Sequence, residues 1–380
     1  MSSTDAARDI LSRHPIVDGH NDLPFELRAI VNYDLSAYDI GRRQNRTHTD
    51  LVRLSEGGVG AQFWSVFVPA AWAGEQAVTA TLEQIDVVHQ MVARYPDRLT
   101  LATTADDVRR AWQDGKIASL MGAEGGHQIN NSLGTLRMLF ELGVRYLTLT
   151  HNDNVPWADS ATDEAMLGGL NDFGRQVVAE MNALGMLVDL SHVSADTMRD
   201  ALAVTESPVI FSHSSARAVC DHVRNVPDEV LARLPLNGGV CMVTFVPYFV
   251  SDDCRAYDEE VAVEMLHRGE NVRDWHARMR AIARYAETHP RPQATVAQVA
   301  DHIEHVREVA GIDNVGIGGD YDGCDALPVG LEDVSGYPRL IAELIERGWS
   351  EPEVAALTGE NVLRVLADAR PTGRPATPLR

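Results

Sequence analysis

Along the chain, short apolar runs alternate with longer amphipathic ones. Eight runs are rich in β-branched and aliphatic residues and bounded by Gly, Pro or polar positions: 15–20 (PIVDGH), 59–68 (VGAQFWSVFV), 117–123 (IASLMGA), 144–150 (VRYLTLT), 186–191 (MLVDLS), 208–213 (PVIFSH), 239–246 (GVCMVTFV) and 314–319 (NVGIGG). Several are almost unbroken in apolar residues, as strands covered on both faces should be. Between them lie helical stripes, among them EQAVTATLEQIDVVHQMVARY, TADDVRRAWQDG, LGTLRMLFELG, NDFGRQVVAEMNALG and SADTMRDALAV. Thr104 and Ser194 stand where helix N-caps belong, and Gly143 and Gly185 where helices close. The gap from about 249 to 310 is long and mostly helical, and two more amphipathic stretches follow the eighth run. No repeat of fixed period and no linker divides the chain.

This alternation predicts an α/β fold: a (β/α)8 TIM barrel with a helical insertion between strands 7 and 8 and extra C-terminal helices. It is expected to form a single domain over 1–380, with a core of about 10–370 and a frayed tail at 371–380. A doubly wound open sheet would give the same local pattern. Its dinucleotide fingerprint is missing, because Gly58-Val59-Gly60 and Gly316-Ile317-Gly318 both lack the third glycine. A nucleophile elbow and a phosphate-binding loop are absent as well.

Charge narrows the partners. With a net charge of −22 over 380 residues, the surface repels phosphate backbones and anionic lipid, so neither nucleic acid nor membrane is expected as a partner. The N-terminus MSSTDAARDI has no basic segment followed by an apolar one, and no run approaches the length of a membrane span. A cytoplasmic protein is the expectation. The four cysteines, Cys220, Cys241, Cys254 and Cys324, form no CxxC pair and read as reduced thiols; a Cys220–Cys254 bridge is an alternative that spacing alone does not support.

In a barrel, chemistry sits at the C-terminal ends of the strands. Those positions hold His20 and Asp22 after the first run, Glu124 after the third, His151 after the fourth, His192 after the fifth, His213 after the sixth and Asp320 after the eighth. The tripeptide His-Asn-Asp occurs twice, at 20–22 and 151–153, each time after a β-like run, so both copies face one mouth. Spacing alone is weak evidence. His48 and His302 also precede an acid by two residues; the first reads as a polar surface loop, and the second, with His305, as a solvated helix face. His14, His89, His127, His222, His267, His276 and His289 read as surface or structural.

Coordination arithmetic supports two metals. One zinc could take His20 and Asp22, a second His192 and His213, with Glu124 and a hydroxide bridging them, which gives each ion four ligands. The chain has a single lysine, Lys116, at the start of the third strand and so at the wrong end to bridge metals as a carbamate. Asp320 is then free to carry a proton, and His151 to polarise a carbonyl or stabilise an oxyanion. Asp322 reads as a cap or loop hydrogen-bonder.

In order along the chain, DGHNDLP, AEGG, LTLTHND, VDLSHVS, FSHSSA, RNVPDEVL and GIGGDYDG resemble the motifs of the membrane (renal) dipeptidases, dizinc metallopeptidases of the amidohydrolase superfamily. The likeness spans roughly 10–370. It implies two Zn2+ per chain held by His20, Asp22, Glu124, His192 and His213, and hydrolysis of small dipeptides, L-D dipeptides included, by attack of the bridging hydroxide on the scissile carbonyl. His151 would contact substrate and the tetrahedral intermediate, Asp320 would shuttle the proton, and Arg224 would bind the substrate carboxylate. Tyr248, in a loop expected to shape side-chain preference, joins the substrate-binding set; Asp153 has no implied role and reads as structural. Vertebrate members are secreted, glycolipid-anchored and disulfide-linked. This chain shows neither signal and resembles a soluble bacterial-type relative, in which any homodimer is expected to be non-covalent. Two other readings stay open: an amidohydrolase acting on an N-acyl amino acid or cyclic amide, and a metal-binding barrel without turnover.

Overall fold

The structure, a computed structural model, describes residues 2–372; 373–380, most of the expected tail, and the side chains of Trp275 and His276 lie outside the described residues. Nine parallel strands form one sheet: β1 (Ile16–Asn21), β2 (Val59–Ser65), β3 (Leu99–Leu101), β4 (Ile117–Glu124), β5 (Val144–Thr148), β6 (Leu187–Asp189), β7 (Val209–Phe211), β8 (Val240–Val243) and β9 (Val315–Ile317). Their order is β2-β1-β9-β8-β7-β6-β5-β4-β3, and β2 also pairs with β4 from Ala61↔Ala118 to Ser65↔Gly122. That pairing closes eight strands into a parallel barrel, so the open-sheet alternative is excluded. The ninth strand, β3, was not evident from the sequence. It covers only the first half of the β4 edge, Ile117 to Ser119, whereas β5 takes Met121 to Glu124.

Side chains alternate between two apolar layers, as the strand period of two requires. Phe63, Leu120, Tyr146, Ile210 and Met242 belong to one cluster, which the C-terminal helix residues Val362 and Val365 join. Their chain neighbours Trp64, Met121, Leu147, Phe211 and Val243 pack in the other, with the surrounding helices. Both faces of most barrel strands are therefore buried, which is why several read as almost unbroken apolar runs.

The helical expectations at Glu75–Arg94, Ala105–Gln113, Leu133–Glu141, Asp172–Leu184 and Ala195–Val204 match helices. Thr104 and Ser194 accept N-cap hydrogen bonds from Asp107 and Thr197, and Gly185 closes its helix in the left-handed conformation. The long gap resolves into Pro247–Val250, Asp252–His267, Trp275–Ala286 and Val296–Ala310. Helices Ser3–Arg13, Leu23–Val31 and Leu51–Glu56 were not anticipated, and the C-terminal pair is interrupted by a wide π-helical turn at Ala356–Glu360. Six runs extend past the C-terminal ends of their strands: β2 stops at Ser65 and β5 at Thr148, while β6, β7 and β9 are only three residues long, and β8 only four. All four cysteines are buried free thiols; Cys220 Sγ approaches the Tyr248 carbonyl and Cys254 Sγ the Pro292 carbonyl, so the Cys220–Cys254 bridge is not formed. Among the described residues, no helix is long and apolar enough to cross a membrane.

Candidate metal centre

At the C-terminal mouth, strand ends hold the titratable residues in place. Glu124 is the last residue of β4 and sits at the centre. Its Oε2 lies 3.3 Å from His20 Nε2, and its Oε1 lies 3.0 Å from His192 Nε2, 3.4 Å from His213 Nε2 and 3.7 Å from His151 Nε2. His20 Nε2 is also 3.2 Å from Asp22 Oδ2 and 3.9 Å from Asp320 Oδ1. His192 and His213 approach each other at 2.9 Å through their Nε2 atoms. All the residues expected at the strand ends therefore meet, across nearly three hundred positions of sequence.

Three overlapping groups among them place ligand atoms within 4.8 Å of one another: His20, Glu124 and His213; Glu124, His151 and His192; and His20, Asp22 and Asp320. The donor set fits metal ions. His20 Nε2 and Asp22 Oδ1 are buried without hydrogen-bond partners, a costly state for polar atoms unless a ligand satisfies them. Imidazole nitrogens and carboxylate oxygens are the donors that zinc accepts.

The rings are oriented from behind. His20 Nδ1–H donates to the Tyr146 hydroxyl at 2.9 Å, which in turn donates to the Gly19 carbonyl at 3.2 Å. Tyr146 reaches under the site only because residue 122 is glycine: a Cβ there would lie 1.9 Å from Tyr146 Cζ. His213 Nδ1–H donates to Ser212 Oγ at 2.8 Å, and Ser212 donates to Asp189 Oδ2 at 2.6 Å. Both networks occupy Nδ1 and turn Nε2 towards Glu124, the orientation a ligating histidine needs. Ser65 holds Glu124 Oε2 at 3.1 Å.

Burial and charge set the protonation states. Burial opposes ionisation of Glu124, but the imidazoles of His20, His192 and His213 prevail and hold its carboxyl well below the usual range. Burial pushes His192 and His213 well below 6.5, assisted by Arg224 at His192 and by His20 at His213, and it takes His151 down to about 4. The imidazoles of His192, His213 and His151 therefore stay neutral at physiological pH, the form that ligates metals. At His20, by contrast, burial is outweighed by Tyr146, Glu124 and Asp22, which raise it well above 6.5. Asp320 is pushed well above the carboxylate range by burial and by its neighbours Asp22 and Glu124.

Arg224 lies beside this centre, 2% exposed, its Nη1 donating to Ser214 Oγ at 3.2 Å and its Nη2 to the His213 carbonyl at 3.3 Å. Its Nε has no partner, and its guanidinium sits 5.1 Å from the Phe249 ring. Among the described residues it makes no ion pair. Tyr248 is half-buried in the short helix Pro247–Val250, with its ring 5.9 Å from His222, and it lines a cavity of about 240 Å³ beneath the insertion helices. Asp153 pairs instead with Arg273 of the insertion at 2.6 Å, a structural role.

Two expectations fail. His302 is fully buried rather than on a solvated face: it accepts from the Ala216 amide at 3.1 Å and its Nε2 meets the Val250 carbonyl at 3.0 Å. His48 is not a free surface residue; it is half-buried and hydrogen-bonded to Asp322. In both cases the deciding partner is distant in sequence, and helical or loop polarity carries no trace of it.

The sequence model of the membrane dipeptidase family (Peptidase family M19) matches residues 4–377. The chain belongs to the membrane dipeptidase family. Mouse Dipeptidase 3 is 43% identical over 357 residues, covering 93% of this chain and 64% of that protein, so the chain spans under two thirds of that curated relative's length. Among solved structures, the probable dipeptidase PvdM from Pseudomonas aeruginosa shares the fold with a TM-score of 0.85 at 23% identity, over 97% of this chain and 98% of that one. Dipeptidase AC, a metallo peptidase of family M19, is 26% identical with a TM-score of 0.78, over 94% of this chain and 99% of that one. A metallo peptidase from Rhodobacter sphaeroides, liganded with a phosphinate mimic of the dipeptide L-Ala-D-Ala, is 25% identical with the same TM-score and the same coverage. The family resemblance read from the ordered motifs is thus established.

Proposed function

We propose that this protein is a zinc-dependent dipeptidase that hydrolyses small dipeptides, L-D dipeptides included. The observation that carries the reading is the convergence of His20, Asp22, His192 and His213 on Glu124, with an unpaired buried arginine alongside. Family membership supports it, and the dipeptide mimic in the Rhodobacter sphaeroides relative favours L-D substrates.

His20 and Asp22 would hold one ion, His192 and His213 the other, and Glu124 both. Two divalent ions in that position would lower the pKa of a shared water and polarise the scissile carbonyl. Arg224 binds the substrate's free carboxylate through its planar fork, in which Nε is the nitrogen without a partner. Neutral His151 donates to the carbonyl oxygen as negative charge develops on it. Two cations beside Asp320 would offset its burial and its acidic neighbours and keep it ionised. It then takes the proton released by the attacking water and passes it to the leaving amine nitrogen, which departs neutral. Tyr248 forms part of the wall that meets a substrate side chain.

A panel of L,L, L,D and D,L dipeptides, N-acyl amino acids and cyclic amides on the zinc-loaded protein tests this. Turnover of L,L and L,D dipeptides is expected. Turnover of N-acyl amino acids or cyclic amides with all dipeptides untouched would favour the amidohydrolase reading instead.

A further inference from the structure

We propose that the pair His48–Asp322 positions the Asp320 carboxylate, which makes His48 a positioning residue for proton transfer. The inference rests on the reading of Asp320 as the proton carrier. Asp320 (φ 60°) and Asp322 (φ 66°) both adopt the left-handed backbone conformation, which costs a non-glycine residue about 1–2 kcal/mol. Something must hold that tripeptide in place.

On one side it is laced to β1: the Asp320 amide donates to the His20 carbonyl at 3.2 Å, and the Asp22 amide to the Tyr321 carbonyl at 2.9 Å. On the other side His48 and Asp322 exchange two hydrogen bonds. The His48 amide donates to Asp322 Oδ1 at 2.5 Å, and the Asp322 amide donates to His48 Nδ1 at 3.0 Å. The segment carrying His48 is anchored in turn, since Arg53 Nη2 donates to the Thr47 carbonyl at 2.8 Å and Asn21 Nδ2 to Thr49 Oγ1 at 2.8 Å. Asn21 lies between His20 and Asp22. A closed circuit of hydrogen bonds therefore runs from the metal-facing tripeptide of β1 through Thr49, His48 and Asp322 back to Tyr321. Space is tight inside it: a Cβ on Gly323 would come within 2.3 Å of Asp320 Oδ1 and 2.4 Å of Asp22 Oδ2. Among the described residues the Asp320 carboxylate accepts no hydrogen bond, its nearest cationic neighbour being His20 Nε2 at 3.9 Å, so its aim depends on the backbone that this circuit fixes.

The test compares His48→Ala with His48→Asn, whose side-chain oxygen can stand in for Nδ1. His48→Ala should lower kcat by about 10–100-fold, in line with an ångström-scale misplacement, with KM changed by less than about threefold and zinc content unchanged. His48→Asn should recover most of that loss. In an Asp320→Asn background, His48→Ala should cost less than about twofold more, because its effect acts through Asp320. Amide hydrogen exchange at 320–323 should accelerate about tenfold in His48→Ala but not in His48→Asn. Full activity with unchanged exchange, an equal loss in both variants, or multiplied losses in the Asp320→Asn background would overturn the proposal. If the wild-type protein cleaves no dipeptide, the proposed function fails while the exchange measurement still decides the clasp.

Discussion

At the residue scale, the same residue type takes different roles according to what surrounds it. His20 and His213 are backed by hydroxyls that fix their tautomers, whereas His302 spends both nitrogens on backbone groups and has none left for a ligand. Asp320 offers a clean substitution. Asparagine tolerates the left-handed backbone that residue 320 requires, so Asp320→Asn should fold and keep its metals while kcat falls by about 10²–10⁴-fold. Metal analysis beside steady-state turnover checks this, and unchanged turnover removes Asp320 from proton transfer. Arg224→Met keeps the buried stem but loses the fork. KM for dipeptides with a free carboxylate should rise by about 10–100-fold, and C-terminally amidated analogues should scarcely notice. A similar rise for both would place Arg224 outside carboxylate recognition. Arg224 also marks a limit of sequence reading, because nothing in RNVP separates it from a surface charge. Its burial is produced by Ser214, the His213 carbonyl and Phe249, all supplied by the fold.

At the element scale, the barrel strands were legible because parallel strands are buried on both faces and their apolar runs stand out. Their C-terminal limits were not. His151, His192 and Asp320 lie three residues beyond β5, β6 and β9, in turns whose residues still read as strand-like. β3 escaped notice because three residues carry no period. The contact between β4 and β5 was equally hidden, yet it supports the site. Gly122→Ala would drive Tyr146 from its place and release His20 Nδ1. Metal affinity should fall by about 10–100-fold, measured by competition with a chromophoric chelator, and unchanged affinity would show that Tyr146 does not orient His20. The helix Val296–Ala310 supplies a pH effect. Burial depresses His302 from 6.5 to about 4, so the unfolded chain binds a proton there that the folded chain refuses. The stabilisation is complete above pH 6.5 and is lost as pH falls towards 4, amounting to about 3 kcal/mol. His302→Asn should therefore flatten the pH dependence of the unfolding free energy between pH 6.5 and 4, read from urea titrations. Parallel slopes for the two proteins would mean that His302 does not carry the effect.

At the scale of the whole molecule, the closed barrel makes the site possible. Seven residues between His20 and Asp320 share one mouth because the strands that present them run in the same direction around a ring closed by β2 and β4. That topology was readable from the alternation of elements, and the site's membership followed from it, whereas the hydrogen bonds that aim each group came only with the packing. The central claim is that these side chains surround a pair of metal ions. Anomalous diffraction at the zinc edge, from crystals of the zinc-loaded protein, tests it most directly. Two peaks about 3.5–4 Å apart are expected, with Glu124 between them, His20 and Asp22 on one and His192 and His213 on the other. A single ion, or peaks away from Glu124, would contradict the account.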